Sequence, residues 1–599
     1  MTHPLGGTEL IIIVLIIFAG VSWYTQIARR DARLLSGKGG DHQRLRLENF
    51  FLAGGSLGTS LTENNTLGMT FAWAGGTWFF ATTAYLYGPL VLWAQLPWVV
   101  SILAISALVP RIITRINSRT IHGFLGGHFG PNAQVAAAIA TSIGYVVNAG
   151  FEIFWPSLMF SLILGDASLA FPVALGVAAI IGSYCAIGGY RSNATVDQPH
   201  NVMGVISLAA LVTFVCEALH ISGPFAVAVY GFGIGSALYC LVNLWGIFPR
   251  KPSQRLLNMI AVGFAVGAFL ILYVFLRPDG GHVTGQQSIL TAGKPPSIVF
   301  ILGILTFQLF FNVVDMQNWQ QIAANENVRP ATRESWQAIA WSIVRASLYL
   351  FWFPALGGVL LGCEMRLVMG VDQSSLFPLA FSMTTVGKGA LVSGLILGTL
   401  LLSFLSTSMS TIDSLLMSAI QTLTYDVFGK GHVERALHAP DRNAPEVVEL
   451  ENRISRTARA WLIPMALFMA ALFYMLYRGF SDNVLLFQPI MYAMPLALLA
   501  PVIVALFGSD ILIERARRGV FTGIVLALVS GAIMTFGLVA PDKVLQLFGW
   551  LAPTITAANL TDWLPCLMPI VTNALSFVAI GISIVLTKEG ARHLKEHVQ

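Results

Sequence analysis

Apolar residues run through this chain in long blocks, with polar residues gathered between them. A bilayer core of about 30 Å takes about 20 apolar residues per helix. On that measure the pattern predicts membrane-spanning helices near 9–27, 59–80, 82–109, 133–163, 167–187, 203–220, 224–247, 256–276, 297–314, 336–362, 389–424, 457–477, 483–508, 519–540 and 564–586. The longest run, 389–424, is expected to continue past the bilayer or to carry a short amphipathic piece. The one long polar stretch, 425–456, reads as a loop.

Charge orders these spans. Arg29, Arg30 and Arg33 follow the first apolar run, whereas Met1 to Glu9 holds no Lys or Arg. A secretory signal would carry its positive charge before the apolar run. Basic residues accumulate on the cytoplasmic side of membrane proteins, so the N-terminus is expected outside and the 29–46 loop inside. The alternation continues: Arg111, Arg115 and Arg119, then Arg250 and Arg255, Arg329 and Arg333, Lys430 to Arg459, Arg515 to Arg518, and Lys588 to Lys595 fall on one side. This supports fifteen spans with a cytoplasmic C-terminus. Composition agrees, with 56% hydrophobic and only 11% charged residues among 599. Such a surface suits a lipid bilayer, not water. The net charge of +5 resides in loops, so it is no nucleic-acid footprint. The five cysteines are scattered, without a Cys-x-x-Cys pair, and no Walker-type glycine loop occurs. ATP-driven transport and soluble enzyme chemistry are therefore not expected.

Two polar clusters interrupt the apolar blocks. Polar groups within a span are costly, so they are read first as functional. One is Glu63-Asn64-Asn65-Thr66, followed by Gly68, Gly75 and Gly76. It predicts a broken helix whose freed carbonyls coordinate a cation; the alternative is a polar helix start at the interface. The other runs from Ser403 to Ser414 and holds six or more hydroxyls. Thr407, Ser410, Thr411 and Ser414 share one helical face, bordered by Asp413. Hydroxyl oxygens opposite broken-helix carbonyls suit a hard cation; a lone Ser or Thr would more often bond back to its own helix. Asp197, after Gly188-Gly189-Tyr190-Arg191, reads equally as a loop charge at a span junction or as an inner ion station. Gln308 and Asn312, four apart and beside Phe310 and Phe311, offer donors and acceptors to a polar solute or to a neighbouring helix. Glu152 and Arg345 are isolated charges inside spans, candidates to pair with one another or with Asp413. Trp73, Trp78, Trp93 and Trp98 read as packing residues or interface anchors.

Taken together, these segments resemble the sodium/solute symporter family. The resemblance runs from about Phe51 to Phe507. It rests on Phe51-Leu52-Ala53-Gly54-Gly55-Ser56-Leu57, on Gly188-Gly189-Tyr190-Arg191 with Asp197, on Asn318-Trp319-Gln320-Gln321-Ile322-Ala323-Ala324, and on Ser410-Thr411 followed by Leu423-Thr424-Tyr425-Asp426. Val314-Asp315 with Trp319-Gln320, and the last of these segments, look closest to the urea-transporting branch. The family implies an all-α integral membrane protein with two inverted five-helix repeats and broken core helices. Here these would be 59–220 and 297–508. They would be flanked by an N-terminal helix and loop (1–58), an extra hairpin and outer loop (221–296), and C-terminal helices (509–599). It implies a multi-pass protein of the cell membrane that couples Na⁺ to import of a small polar solute by alternating access, without covalent chemistry. Sodium would be held by Thr407, Ser410 and Thr411 with carbonyls near Glu63 and Thr66. Asp197 and Asp413 would serve a second ion, and Asn65, Gln308, Phe311 and Asn312 the solute. Gln321 stands where the family usually has arginine, and Asp413 where it has a small polar residue, which keeps proton coupling open. A solute sensor on the same fold and a passive channel are the remaining alternatives.

Overall fold

The computed structural model describes residues 6–36, 46–115, 119–245, 256, 259–264, 266–267, 298–328, 332–368, 376–437, 439–479, 493–548 and 557–598. Their regular structure is helical, with short connections, and the only bridge outside helices joins Leu57 to Asn325 among the described residues. In chain order the helices are α1 (Gly7–Ser36), α2 (Leu47–Leu52), α3 (Thr59–Thr70), α4 (Phe79–Tyr87), α5 (Leu96–Arg115), α6 (Ile121–Phe129) and α7 (Pro131–Ile163). Next come α8 (Ala170–Ala218), α9 (Pro224–Trp245), α10 (Ile298–Val314), α11 (Met316–Ala324), α12 (Arg333–Leu350), α13 (Gly358–Met365) and α14 (Leu376–Met383). The chain continues with α15 (Ala390–Thr422), α16 (Lys430–Leu437), α17 (Pro445–Gly479), α18 (Leu499–Phe507), α19 (Asp510–Val539), α20 (Pro541–Phe548) and α21 (Ala557–Val598).

Eleven stretches among the described residues are long and apolar enough to cross a membrane. The fifteen spans read from the sequence are not reached. The stretch 167–218 counts once, although its helix changes direction at Gly189, whose φ of 66° and ψ of −166° are non-helical. The pieces α3 and α4 are each too short to count alone. The expected spans 256–276 and 483–508 lie partly outside the described residues.

Several boundaries move. The expected loop 425–456 is largely helical, because the chain continues past α15 as a wide turn over Leu423–Phe428, then forms α16 and the first turns of α17. The second helix of α8 begins at Tyr190, not near 203. Asp197 therefore lies inside a helix and is fully buried, not in a junction loop. The helix expected at 59–80 runs on to Tyr87, and the next membrane-crossing stretch begins at Val91.

Two interrupted helices organise the centre. Helix α3 stops at Thr70; Phe71 and Ala72 leave helical geometry with ψ of 43° and 137°, and a wide helical turn over Trp73–Trp78 leads into α4. Helix α10 stops at Val314, and Asp315 starts α11 by accepting the Gln317 backbone N–H at 3.1 Å. The two are stitched together, since Leu57 N donates to Ala324 O at 3.1 Å and Glu326 N to Leu57 O at 2.9 Å. Around them, α15 packs on α1, α7 and α8, while α3 packs on α8, α12 and α15.

Candidate ion and solute site

The site grows from the place where α3 meets α8 and α15. Gly68 lies two residues before the end of α3, and a Cβ there would collide with Ser410 Oγ and press on the Asp197 side chain. Its missing side chain is what admits the three helices to one another. Ser410 donates to Asp197 Oδ1 at 2.5 Å, and Thr411 donates to the Gly68 carbonyl at 3.0 Å. Asn65 donates to Asp197 Oδ2 at 2.6 Å and lies 3.4 Å from Ser414 Oγ. Asn65 Oδ1 in turn accepts from Tyr190 at 2.8 Å and from Gln321 at 2.7 Å. The helical face expected at Thr407, Ser410, Thr411 and Ser414 is thus turned toward α3 and α8, although Thr407 Oγ1 donates to its own helix at Ser403 O, 2.8 Å away.

Every side chain in this knot is buried. Asp413 sits one step round α15, accepting from Tyr184 at 2.7 Å and from Ser414 at 3.3 Å. Among the described residues no Lys, Arg or His pairs with either Asp197 or Asp413. Two buried carboxylates without a basic partner call for a cation or a proton. The oxygens at hand are two hydroxyls, a carbonyl and a carboxylate, a hard-donor set that fits Na⁺.

Two of the expected sodium residues take other roles. Glu63 accepts from Arg345 Nε at 2.7 Å, on the side of α3 facing α12. Among the described residues the ion pair of Arg345 is therefore with Glu63, not with Glu152 or Asp413. Thr66 donates to Thr62 O at 2.8 Å and to Gln321 Oε1 at 2.9 Å, and its carbonyl accepts from Thr70 at 2.7 Å. The expectation was displaced because the helix breaks at Phe71–Ala72, well past Glu63. Carbonyls inside an intact helix are already bonded, so Gly68 is the carbonyl that meets the hydroxyl face.

The expected solute residues fall in two places. Asn65 belongs to the knot around Asp197. Gln308, Phe311 and Asn312 lie on α10 against α5: Phe311 stacks on Trp98 at 5.8 Å, and Asn312 N donates to Ser101 Oγ at 3.2 Å. Gln308 Oε1 and Asn312 Nδ2 are a buried acceptor and donor without a partner among the described residues. Glu152, read from the sequence as an isolated charge, instead accepts the Gly75 backbone N–H at 2.6 Å, at the start of the second half of the broken helix.

Some members of the knot were not legible. Tyr190, Tyr184, Asn193 and Asn201 fall in or beside the apolar blocks of α8, and Asn201 Nδ2 donates to the Asn64 carbonyl at 2.7 Å. Tyr190 stood in the Gly188-Gly189-Tyr190-Arg191 segment without a role of its own, and the only signal of the others is polarity within an otherwise apolar helix. Nothing local says which of them turns inward.

No family model matches the chain, and no curated protein matches it. Among solved structures, it is similar to a Na⁺-coupled sialic acid symporter in a substrate-bound outward-open state, described with a novel Na⁺ site. The TM-score is 0.58 at 12% identity, over 96% of this chain and 98% of that one. At that identity the likeness shows a shared fold: an all-helical, multi-pass membrane architecture.

Proposed function

We propose that the chain is a sodium-coupled secondary active symporter that imports a small polar solute by alternating access. The observation that carries this reading is the meeting of Ser410, Thr411, the Gly68 carbonyl and Asp197 at a helix break, with no basic side chain pairing Asp197 among the described residues. Half-helix ends and freed carbonyls are the usual means of holding Na⁺ in such transporters. The fold shared with a Na⁺-coupled symporter points the same way. In this reading Na⁺ is held by Ser410, Thr411 and the Gly68 carbonyl, with Thr407 beside them. Asp197 completes this set and, with Asp413, borders a second cation. Because α3 and α15 each supply oxygens, an ion between them draws the broken helix onto α15 and so links ion binding to the solute site.

The solute is assigned to the side of the break reached by Asn65 and by the open amide atoms of Gln308 and Asn312, with Phe311 beside them. The two inverted repeats are assigned to 59–220 and 297–508. The positive-inside pattern places the N-terminus outside and the C-terminus in the cytoplasm. Proton coupling is the second reading, favoured by the Tyr184–Asp413 hydrogen bond, which joins a titratable carboxylate to a neutral donor.

The test is solute uptake into proteoliposomes holding the full chain, under an inward Na⁺ gradient, a pH gradient or neither. Accumulation driven by Na⁺ is expected. Accumulation driven by pH alone would replace sodium by protons. Exchange that never concentrates solute under either gradient would leave a passive pathway or a sensor.

A further inference from the structure

The second half of the broken helix begins at Trp73 and runs without interruption to Tyr87. Its first N–H groups have no carbonyl one turn back, and the helix dipole gathers positive charge there. Such an end attracts anions and, in transporters with broken helices, receives an anionic group of the substrate. Here that position is taken from within the protein. Helix α7 crosses the break, and Glu152 Oε1 accepts the Gly75 N–H at 2.6 Å. Glu152 itself is fully buried.

Beside it stands a second feature. Trp155, one turn along α7, packs edge-on against Trp78 with ring centroids 4.6 Å apart. Trp73 opens the half-helix and lies 4.6 Å from Phe404 of α15. The indole N–H groups of Trp73, Trp78 and Trp155 are all buried and have no hydrogen-bond partner among the described residues, and neither does Thr77 Oγ1. An indole N–H can only donate, and leaving it unmet in a buried place costs about 1–3 kcal/mol. Three such donors around one helix break point to a ligand that brings acceptor oxygen.

We infer that Glu152 is a charge-selecting residue: its carboxylate fills the anion position at the start of the second half-helix, so the site takes compact uncharged carbonyl compounds, whose oxygen meets the indole N–H groups, and rejects carboxylates. A carboxylate solute would have to displace Glu152 from the Gly75 N–H or lie against it as a like charge. An uncharged amide meets neither obstacle. The inference rests on the transporter reading only for the position of the solute; it concerns binding, and binding is measured apart from transport.

The experiment uses the purified full chain in Na⁺ buffer with acetamide and acetate as a size-matched pair, and with sialic acid as a larger carboxylate. Thermal stabilisation reads binding, and proteoliposome uptake reads transport. Wild-type protein is expected to be stabilised by acetamide and not by acetate or sialic acid. Glu152→Gln keeps an acceptor for Gly75 and removes the charge. It should narrow the acetamide-to-acetate preference by about tenfold or more, the scale of a like-charge contact in a desolvated site. Were Glu152 only a helix cap, both probes would weaken together with an unchanged ratio. Trp155→Phe keeps a ring against Trp78 and removes one donor. It should weaken acetamide by about tenfold, since one buried hydrogen bond is worth about 1.5 kcal/mol. Retained Na⁺ stabilisation shows that each variant is folded.

Equal binding of acetate and acetamide to wild type, an unchanged ratio in Glu152→Gln, or no acetamide binding would each overturn the inference. Selective acetamide binding without Na⁺-driven uptake would sink the transport reading and leave charge selection standing. Na⁺-driven uptake of a carboxylate would do the reverse.

Discussion

Ser410 holds its hydroxyl proton toward Asp197, and Thr411 holds its own toward the Gly68 carbonyl. The two are not equivalent. Ser410 bonds a carboxylate, and hydrogen bonds to charged groups are worth about 1.5–3 kcal/mol against about 1 for neutral pairs. Ser410→Ala should therefore raise the Na⁺ concentration for half-maximal thermal stabilisation by about tenfold or more, and Thr411→Ala by only a few-fold. Asp197→Asn should remove Na⁺ stabilisation altogether. Equal, small effects of all three would place the ion elsewhere. At this scale the sequence was informative where a residue stood out against an apolar background, as Ser410, Thr411 and Asp413 did. It was silent on direction. Glu63 and Asn65 are two positions apart, yet one turns to Arg345 on α12 and the other to Asp197 on α8. Asp197 itself read equally as a loop charge, because the helix that buries it starts at Tyr190, just after Gly188-Gly189, with polar Arg191, Ser192 and Asn193 that resemble a loop.

At the scale of elements, the break in α3 has no proline to announce it. The glycines after Glu63 suggested an interruption; its position at Phe71–Ala72 is set by a partner, Glu152 of α7, which meets the Gly75 N–H. That is tertiary information, and it explains why the expected carbonyls were placed at Glu63 and Thr66, too early along the helix. Gly68 tests how closely α3 must approach its neighbours. In an exposed helix Ala is favoured over Gly by about 1 kcal/mol. At this position the added Cβ meets Ser410 and Asp197. Gly68→Ala should leave a folded protein whose Na⁺ stabilisation is lost or reduced by about tenfold, because the overlap falls on the proposed ion ligands. Gly176→Ala is the control, since a Cβ there has no neighbour within 4 Å. Equal Na⁺ responses in the two variants would mean that α3 carries no ion-binding oxygen.

At the scale of the whole molecule, the architecture was legible because apolar blocks and basic loops are set by the bilayer and not by distant contacts. The contacts across the basic end were not. There Glu48 of α2 accepts from Arg119 and, at 2.9 Å, from Arg442; Arg442 also reaches Glu451 of α17 at 3.0 Å, and Arg46 reaches Glu451 at 3.4 Å. Arg459 lies over Phe50, 4.4 Å from its ring centre, and Phe51 packs edge-on against Tyr425. These residues are far apart in sequence and join the segment before the first broken helix to the segment after α15. They form a clasp across the side that the positive-inside pattern assigns to the cytoplasm, and under the proposed alternating-access function such a clasp has to open. Partly exposed ion pairs are individually weak, so only a shared residue should matter. Arg442 bonds both Glu48 and Glu451. Arg442→Ala should therefore speed thiol labelling of a cysteine placed at Thr422, which is buried at the end of α15, by about threefold or more, since about 0.7 kcal/mol is the scale of one such pair. Acid should act in the same direction. Burial raises the Glu48 carboxyl, but Arg119 and Arg442 more than offset this and leave it below its ordinary value of 4.5. A depressed carboxylate contributes fully above that ordinary value, and its contribution is lost as pH falls through the depressed one. Labelling at position 422 should thus stay slow, after correction for thiolate content, from neutral pH down to about 5. It should quicken only in stronger acid, and Arg442→Ala should remove that acid response. Labelling that is already fast in wild type at neutral pH would show that the clasp does not hold this end closed.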